Sequence, residues 1–421
     1  MRLIFHVDVN SAFLSWEAAR RVKNGEADLR LIPSAVGGDR EKRTGIILAK
    51  SIPAKKYGVA TGEPIGMALR KCPSLVIVPA DFRLYVSCSR AFVAILREYA
   101  PVVEKYSIDE CFLDMSDTET VYPDPIALAY TIKNRIRDEL GFTVNIGIGR
   151  SKLAAKTASD FEKPDKVHTL FDEEIEEKLW PLPIGDLFSV GHATAERLER
   201  AGIRTVGALA HTDEKTVCSL IGNKFGKLLH GYANGIDPSP VQAVRERAKS
   251  YSNSVTVEKD ITEKSEAEKV LLALTDSVAS RMRADGARAS CVSVTIRNTA
   301  FDDRSHQQKL ADPSDITAEL YATACKLFDE LWDGRTPLRL VSVALNDVDF
   351  DSPEQPTFFP DEKMIRAKKV DRTVDGIRKR FGSDTIVLGT AYQSAPEVGK
   401  KHKAQLDDRK SVIVKNKERG G

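Results

Sequence analysis

Three acidic residues stand where carboxylates are costly. Asp8 comes at the end of a short apolar, partly β-branched run, Leu3 to Val9, and Asp109 and Glu110 lie in Tyr106-Ser107-Ile108-Asp109-Glu110-Cys111-Phe112-Leu113-Asp114. Neighbouring acids inside an apolar strand are strongly unfavourable unless something offsets their charge. Two hard divalent cations with oxygen ligands would do so. Such a pair, ~3.5–4 Å apart, activates an attacking hydroxyl and stabilises a departing phosphate group. Successive side chains of a regular strand face opposite ways. Either the chain bulges or turns at Asp109, or Glu110 reaches round, and the sequence leaves both open. Taken alone, the Asp-Glu pair reads better as the solvated end of a strand.

The elements that would position these acids follow from local pattern. Leu3 to Val9 reads as a buried strand. Ser11 is placed to cap a helix over Ala12 to Val22, which holds no Gly or Pro. Residues 36–66 are rich in glycine and interrupted by proline, a small loop-rich subdomain. A helix is expected over 81–98, paired strands over 102–115 and an amphipathic helix over 125–140. Val144 to Gly149 alternates with period two and reads as a strand, followed by a helix from Ser151. The mixture predicts an α+β sheet domain to about residue 170. Residues 171–240 read as helical with glycine turns, and the polar, basic stretch 241–250 as a linker. Residues 251–350 predict strands near 254–257, 291–297 and 340–345 and helices over 264–284 and 313–332, a β-α-β-β-α-β type unit. A Pro-rich tail follows, with a helix near 361–381 and a basic, disordered end from about 398.

The bulk numbers narrow the class. The chain has 421 residues, enough for two to four domains of ~100–200 residues each. Hydrophobic content is 42% and charged content 29%, as in a globular protein. Net charge is only +2, so a nucleic-acid surface would have to arise from local clustering of the 63 Lys and Arg. The six cysteines make no C-x-x-C pair and fit no zinc site. They read as reduced and mostly buried, which suits a cytoplasmic protein. No run approaches the ~20 apolar residues of a membrane span, and the N-terminus is no signal peptide.

Four segments carry a family resemblance. HVDVNSAFLSWE at 6–17, GIILAKSIPAKKYGV at 45–59, SIDECFLD at 107–114 and GIGRSKLAAKTASDFEKPDK at 147–166 resemble, in order and spacing, the motifs of the Y-family DNA polymerases, the DinB and UmuC group. The likeness covers about residues 1–350. It implies a multidomain α+β right-hand fold: palm at 1–30 and 75–170, fingers at 31–74, helical thumb at 171–240, linker at 241–250, an α/β little finger at 251–350 and a tail at 351–421. It further implies a low-fidelity, weakly processive polymerase that extends primers across damaged template bases without proofreading. Asp8, Asp109 and Glu110 match its metal ligands, with the Val9 carbonyl completing a shell around two Mg²⁺. Phe13 matches the aromatic steric gate that rejects ribonucleotides, although by itself it reads as a core residue of the first helix. Lys163 matches the lysine on the dNTP triphosphate, although alone it reads as a solvated surface residue. The chain departs from the family at Ile52 and Lys55, where Tyr and Arg are frequent, and at Asn10 and Ala12. Lys55 offers charge but no bidentate fork. Triphosphate binding is therefore expected to rest on Lys55, Lys163 and backbone amides of Ser11, Ala12 and Phe13.

Primer-template DNA needs further grips. Ser189-Val190-Gly191-His192-Ala193-Thr194 reads as a tight turn between helices and resembles a helix-hairpin-helix, with Gly191 at a helix start suited to a phosphate oxygen. Gly222 to Gly226 reads as a related turn. Arg281, Arg283, Arg288, Arg297, Arg304, Lys309, Arg335 and Arg339 are candidates for one sheet face of the 251–350 unit, with Arg245, Arg247 and Lys249 in the linker. Gln355-Pro356-Thr357-Phe358-Phe359 resembles the peptide by which such polymerases bind the sliding clamp, with Gln355, Phe358 and Phe359 as anchors. A monomer is expected. Two other classes use comparable acids or domains: a metal-dependent phosphodiesterase or cyclase, and a DNA-binding accessory protein without catalysis. The hairpin turns and the basic extra unit favour the polymerase over the first, and the intact acids favour it over the second.

Overall fold

The computed structural model describes residues 2–38, 45–244, 246–351, 362–382 and 385–386. Contacts divide the chain into two compact units, residues 1–38 with 46–245 and residues 246–421 with 39–45.

The first unit opens with β1 (Ile4–Val9), α1 (Ala12–Lys23), β2 (Ser34–Gly37), β3 (Ile47–Lys50), α2 (Ile52–Lys56), α3 (Ile65–Lys71) and β4 (Val76–Pro79). It continues with α4 (Phe82–Tyr99), β5 (Val102–Lys105), β6 (Glu110–Asp114), α5 (Pro125–Leu140), β7 (Val144–Gly149), α6 (Lys152–Asp160) and β8 (Val167–Leu170). Its main sheet runs β5-β6-β1-β7-β8. β1 lies between β6 and β7, antiparallel to both, and β8 joins β7 in parallel. Period-two alternation sends Phe5, Val7 and Val9 into the core shared with α4 and α5, while Ile4 and Phe112 meet Ala155 of α6 on the other face. Asp8 and His6 belong to that second face. Side-chain acceptors satisfy first-turn amides of several helices, α4, α5 and α6 among them. Asp81 caps α4, Asp124 caps α5 and Ser151 caps α6.

Two glycines of β7 exist because α6 presses on the strand. A Cβ on Gly147 would fall 1.9 Å from the Ala155 carbonyl oxygen, and one on Gly149 2.7 Å from the Ala154 methyl. Only residues without side chains allow that approach. The β2, β3 and β4 strands form a separate three-stranded sheet, order β3-β2-β4, with its own small core around Ile47, Ala54, Val59 and Ile65. β4 and β8 were not expected from pattern, being only four residues each.

Residues 171–190 are not α-helical as expected. They form short helical turns at Asp172–Glu174, Ile175–Leu179 and Ile184–Asp186. Pro181 and Pro183 lack amide donors and deny a continuous helix there. Four helices follow: α7 (His192–Arg200), α8 (Val206–His211), α9 (Glu214–Ile221) and α10 (Asn223–Ala233). Their apolar faces, with Leu198, Val206, Val217 and Leu229, close over Leu153 and Ala158 of α6.

The second unit holds β9 (Tyr251–Ile261), α11 (Lys264–Ala284), β10 (Arg288–Asn298), β11 (Asp303–Ser314), α12 (Thr317–Leu331), β12 (Leu338–Asp349) and α13 (Glu362–Phe381). The sheet order is β11-β10-β12-β9, all neighbours antiparallel, with α11 and α12 on one face. Sequence pattern missed β11 and began α12 four residues early. β11 reads Asp-Arg-Ser-His-Gln-Gln-Lys-Leu-Ala-Asp-Pro-Ser and is mostly exposed. An edge strand that buries almost nothing carries no hydrophobic period, and its charges and proline are what edges tolerate. All six cysteines are free thiols, four of them buried. Among the described residues no helix is long and apolar enough to cross a membrane.

Candidate active site

Asp8 and Glu110 are direct cross-strand partners in the β1–β6 ladder. They therefore share one face of the sheet, with Cβ atoms about 4.5–5.5 Å apart. Asp109 lies one residue before β6. There the chain turns: the amides of Tyr106 and Ser107 both donate to the Glu110 carbonyl, at 3.0 and 3.1 Å. The Ser107 hydroxyl donates to the Asp109 carboxylate at 2.6 Å, and the Val9 amide donates to the Asp109 carbonyl at 3.0 Å. Of the two routes left open by the sequence, the turn is the one taken. Strict alternation ends at Asp109, so it need not face away from Glu110.

The electrostatics are those of a crowded acidic corner. Burial pushes Asp8 from 3.8 up to about 6, Lys163 works against that shift, and Glu110 and Asp109 add to it. Lys163 hydrogen-bonds the Asp8 carboxylate and pairs with Asp160 at 2.7 Å. Burial pulls its ammonium down, but Asp8 and Asp160 outweigh this and hold it above its ordinary range. Glu110 pairs with Lys156 of α6 at 2.7 Å. Each of these two carboxylates is thus matched by its own lysine. Among the described residues no three His, Cys, Asp or Glu side chains already converge as a metal-ligating group. The donors fit hard divalent ions all the same: they are carboxylate oxygens at adjoining positions, with two displaceable ammonium groups balancing their charge. His6, fully buried beneath, is held well below its usual range by burial and by Lys156, Lys163 and Lys152.

A cleft of about 410 Å³ opens beside the acids. Its lining includes Asp8, Val9, Ser11, Ala12, Phe13, Ile52, Lys55, Asp109 and Lys163, all singled out from the sequence. Glu110 is not in the lining, being turned to Lys156. Phe13 is half-buried and stacks on Tyr85, rings 4.6 Å apart and 10° from parallel, with Phe82 edge-on at 6.0 Å. It is therefore both a core residue and a wall of the cleft. Ser11 is the N-cap of α1, yet it does not cap as expected. Its backbone is left-handed (φ 48°), and its side chain makes no capping bond. The first-turn amides of α1 are thereby left for another acceptor.

Three features escaped sequence reading. Lys50 and Thr61 also line the cleft and bond each other at 3.2 Å. Lys50 looked like an ordinary strand residue, but burial, then Lys55, pulls its ammonium down. Asn10 borders the cleft, with its side chain tied to the strand and loop behind: it donates to Asn145 at 3.0 Å and accepts from the Asp165 amide at 2.9 Å. Asn145 in turn holds the carbonyls of Ser159 and Glu162. This pair of buried amides anchors the loop that carries Lys163. A period-two strand with Asn at an interior position was the available signal.

The remaining candidate residues are scattered. Gly191 caps α7 at the surface and Lys249 is exposed. Arg297 forms a two-pronged pair with Asp303, at 2.6 and 2.7 Å. Arg281 and Arg283 do not line an open sheet face. Arg281 is buried and bonds the Ser252 carbonyl, while Arg283 is locked to Asp371 and Asp375 on the helical side. Gln355, Phe358 and Phe359 lie outside the described residues.

Comparison with known proteins agrees with this geometry. Residues 7–160 match the impB/mucB/samB family, residues 248–358 match that family's C-terminal domain, and residues 185–237 match a thumb domain described from DNA polymerase iota. DNA polymerase IV of Clostridium acetobutylicum is 41% identical over 390 residues, covering 92% of this chain and 97% of the relative. DNA polymerase IV 2 of Bacillus subtilis is 35% identical over 420 residues, covering 96% and 99%. Among solved structures, a chimeric Y-family DNA polymerase superposes with TM-score 0.73 at 23% identity, over 83% of this chain and all of that one. Motifs, sheet register, domain matches and full-length relatives coincide, and the chain belongs to the Y family of DNA polymerases, in its DinB branch, as a DNA-directed DNA polymerase of the translesion kind.

Proposed function

We propose that this polymerase assembles its catalytic centre from Asp8, Asp109, Glu110 and the Val9 carbonyl around two Mg²⁺. Dependence on divalent metal is general to the family; the ion and its count belong to this reading. The observation that carries it is the pairing of Asp8 with Glu110 on one sheet face, with Asp109 at the adjoining turn. Two such ions, when bound, would lower the pKa of the primer hydroxyl and offset charge on the departing pyrophosphate. The protein's own groups do the rest. Lys163 leaves Asp8 for the incoming triphosphate, joined by Lys55, Lys50 and the open amides of α1. Phe13, braced by Tyr85, lies under the sugar and excludes a 2′-hydroxyl. Ile52 supplies only apolar contact.

The palm then comprises 1–30 and 75–170, the fingers 31–74, the thumb 171–240, the linker 241–250, the little finger 251–350 and the tail 351–421. Gly191 offers helix-start amides to a DNA phosphate, and Lys249 and Arg297 add cationic contacts. Gln355, Phe358 and Phe359 would anchor a sliding clamp, and the enzyme acts as a monomer. Primer extension on a defined template with dNTPs and Mg²⁺, with and without a lesion and a clamp, tests the whole. Asp109→Ala is expected to abolish extension. Wild-type protein that shortens primers without dNTPs instead of extending them would favour a phosphodiesterase.

A further inference from the structure

The helix α13 sorts its charges by face. Its two aspartates point inward. Asp375 meets the buried Arg283 guanidinium at 2.7 Å and the Ser280 hydroxyl at 2.7 Å. Asp371 accepts from the Thr317 amide at 2.8 Å, at the start of α12. Arg378, on the same side, grips Asp276 of α11 through both terminal nitrogens, at 3.1 and 2.7 Å. α13 thus forms a third layer over α11 and α12, which themselves cover one face of the β9–β12 sheet. No residue of α13 is buried. Polar pairs, not a hydrophobic stripe, hold it in place.

The outer side is cationic. Arg366, Lys369, Arg372, Lys379 and Arg380 are all exposed, and among the described residues none of them pairs with an acid. Arg366, Lys369 and Arg372 follow at spacings of three, and Lys379 and Arg380 lie three and four residues beyond Gly376, so the five span about 21 Å of the helix at ~1.5 Å per residue. Glu362, in the first turn, and Asp375 are the acids of this helix in register with them. Asp375 stands three residues from Arg372 and four from Lys379, but it is turned inward to Arg283. A merely solvated helix normally alternates signs at these spacings, because opposite neighbours stabilise and like neighbours cost ~0.2–0.5 kcal/mol each. From Arg366 onward the acid of this helix at such a spacing is Asp375, and its charge is taken up by Arg283. Open space surrounds the Gly376 Cα where a side chain would stand, so a rigid backbone can come close at the centre. A membrane surface would call for a continuous apolar face beside the cations. Met364, Ile365, Val370 and Phe381 are exposed on this helix, but they stand at different angles around it or far apart along it and make no such face.

We propose that the outer face of α13 binds the phosphodiester backbone of DNA, at a site separate from the catalytic cleft and facing away from the open side of the β9–β12 sheet. The polyanion suits the feature: regularly spaced phosphates match a regularly spaced cationic row, without sequence preference. Duplex and single-stranded DNA share this chemistry, and the test distinguishes the two.

The test is salt-dependent binding of the full chain to 40-base-pair duplex and to 40-nucleotide single strands, read by fluorescence anisotropy. The variants are Arg372→Gln and the five-fold change Arg366→Gln, Lys369→Gln, Arg372→Gln, Lys379→Gln and Arg380→Gln. Each lost phosphate contact lowers the slope of log K against log salt by roughly 0.9 on duplex and 0.7 on single strands. A fall of at least about 2 in the five-fold variant on either DNA supports the proposal, and the larger fall identifies the form bound. Extension of a short primer-template should be unchanged, and the melting temperature unchanged or raised, since like-charge repulsion is relieved. Equal slopes for wild type and five-fold variant overturn the proposal. So does a loss confined to vesicles containing anionic lipid, which would assign the face to a membrane surface.

Discussion

Replacing Asp8 with Asn should stabilise the metal-free enzyme at neutral pH. In the fold the Asp8 carboxyl is raised from 3.8 to about 6, chiefly by burial. Its folded form therefore holds a proton more tightly than its unfolded form, and ionising it costs stability. A shift of about 2 units at 1.36 kcal/mol each amounts to about 3 kcal/mol. The sign follows from linkage: the penalty is absent below about pH 4, grows as pH rises through 4 to 6, and is complete above 6. Asn removes it. The substitution also deprives Lys163 of a partner, but that ammonium keeps Asp160 and is 38% exposed, so this loss is below about 1 kcal/mol. The burial effect wins, and a net gain of about 2 kcal/mol is expected at pH 7.5 and none at pH 4. Denaturant unfolding in EDTA at the two pH values reads the difference. Equal stability of the two proteins at pH 7.5, or the same gain at both pH values, would refute the account of the acidic corner. The same variant should extend no primer.

Phe13→Ala should admit ribonucleotides in primer extension and, by removing the ring stacked on Tyr85, lower stability by about 2 kcal/mol; unchanged ribonucleotide rejection would remove the gate assignment. Gly147→Ala should be severely destabilising, because its methyl would fall 1.9 Å from the Ala155 carbonyl and backbone would have to move; a melting temperature within a degree of wild type would show that α6 packs less closely on β7. Arg283→Met leaves Asp371 and Asp375 without their buried cation, a loss of about 3 kcal/mol. Faster tryptic cleavage within residues 362–381 checks it, and an unaltered cleavage rate would mean the other contacts hold α13 alone.

Much of the architecture was legible before any coordinates. The helices over 125–140 and 264–284 bury an apolar face whose period shows in the residues, and Leu3 to Val9 and the strand over 144–149, buried on both faces, show as short runs rich in apolar residues. The acids were legible for the converse reason: carboxylates in apolar surroundings break that period at a cost and so stand out. Elements that bury little left no such imprint. β11 is an exposed edge, β4 and β8 are four residues long, and the turns before α7 follow from prolines that only deny a helix.

The sequence by itself determined the polymerase family, the order of the elements and the chemical types at the acidic corner, because these reside in local pattern and motif spacing. Only the tertiary structure decided the register that sets Asp8 against Glu110 and the turn that releases Asp109 from strand alternation. It alone decided that Lys156 and Lys163 serve as counter-charges, and that Arg283 faces a C-terminal helix instead of an open sheet face. Each of these depends on which residues distant in the chain meet, and pairing across a sheet or between helices is set by the packing of the whole unit, which no local window contains.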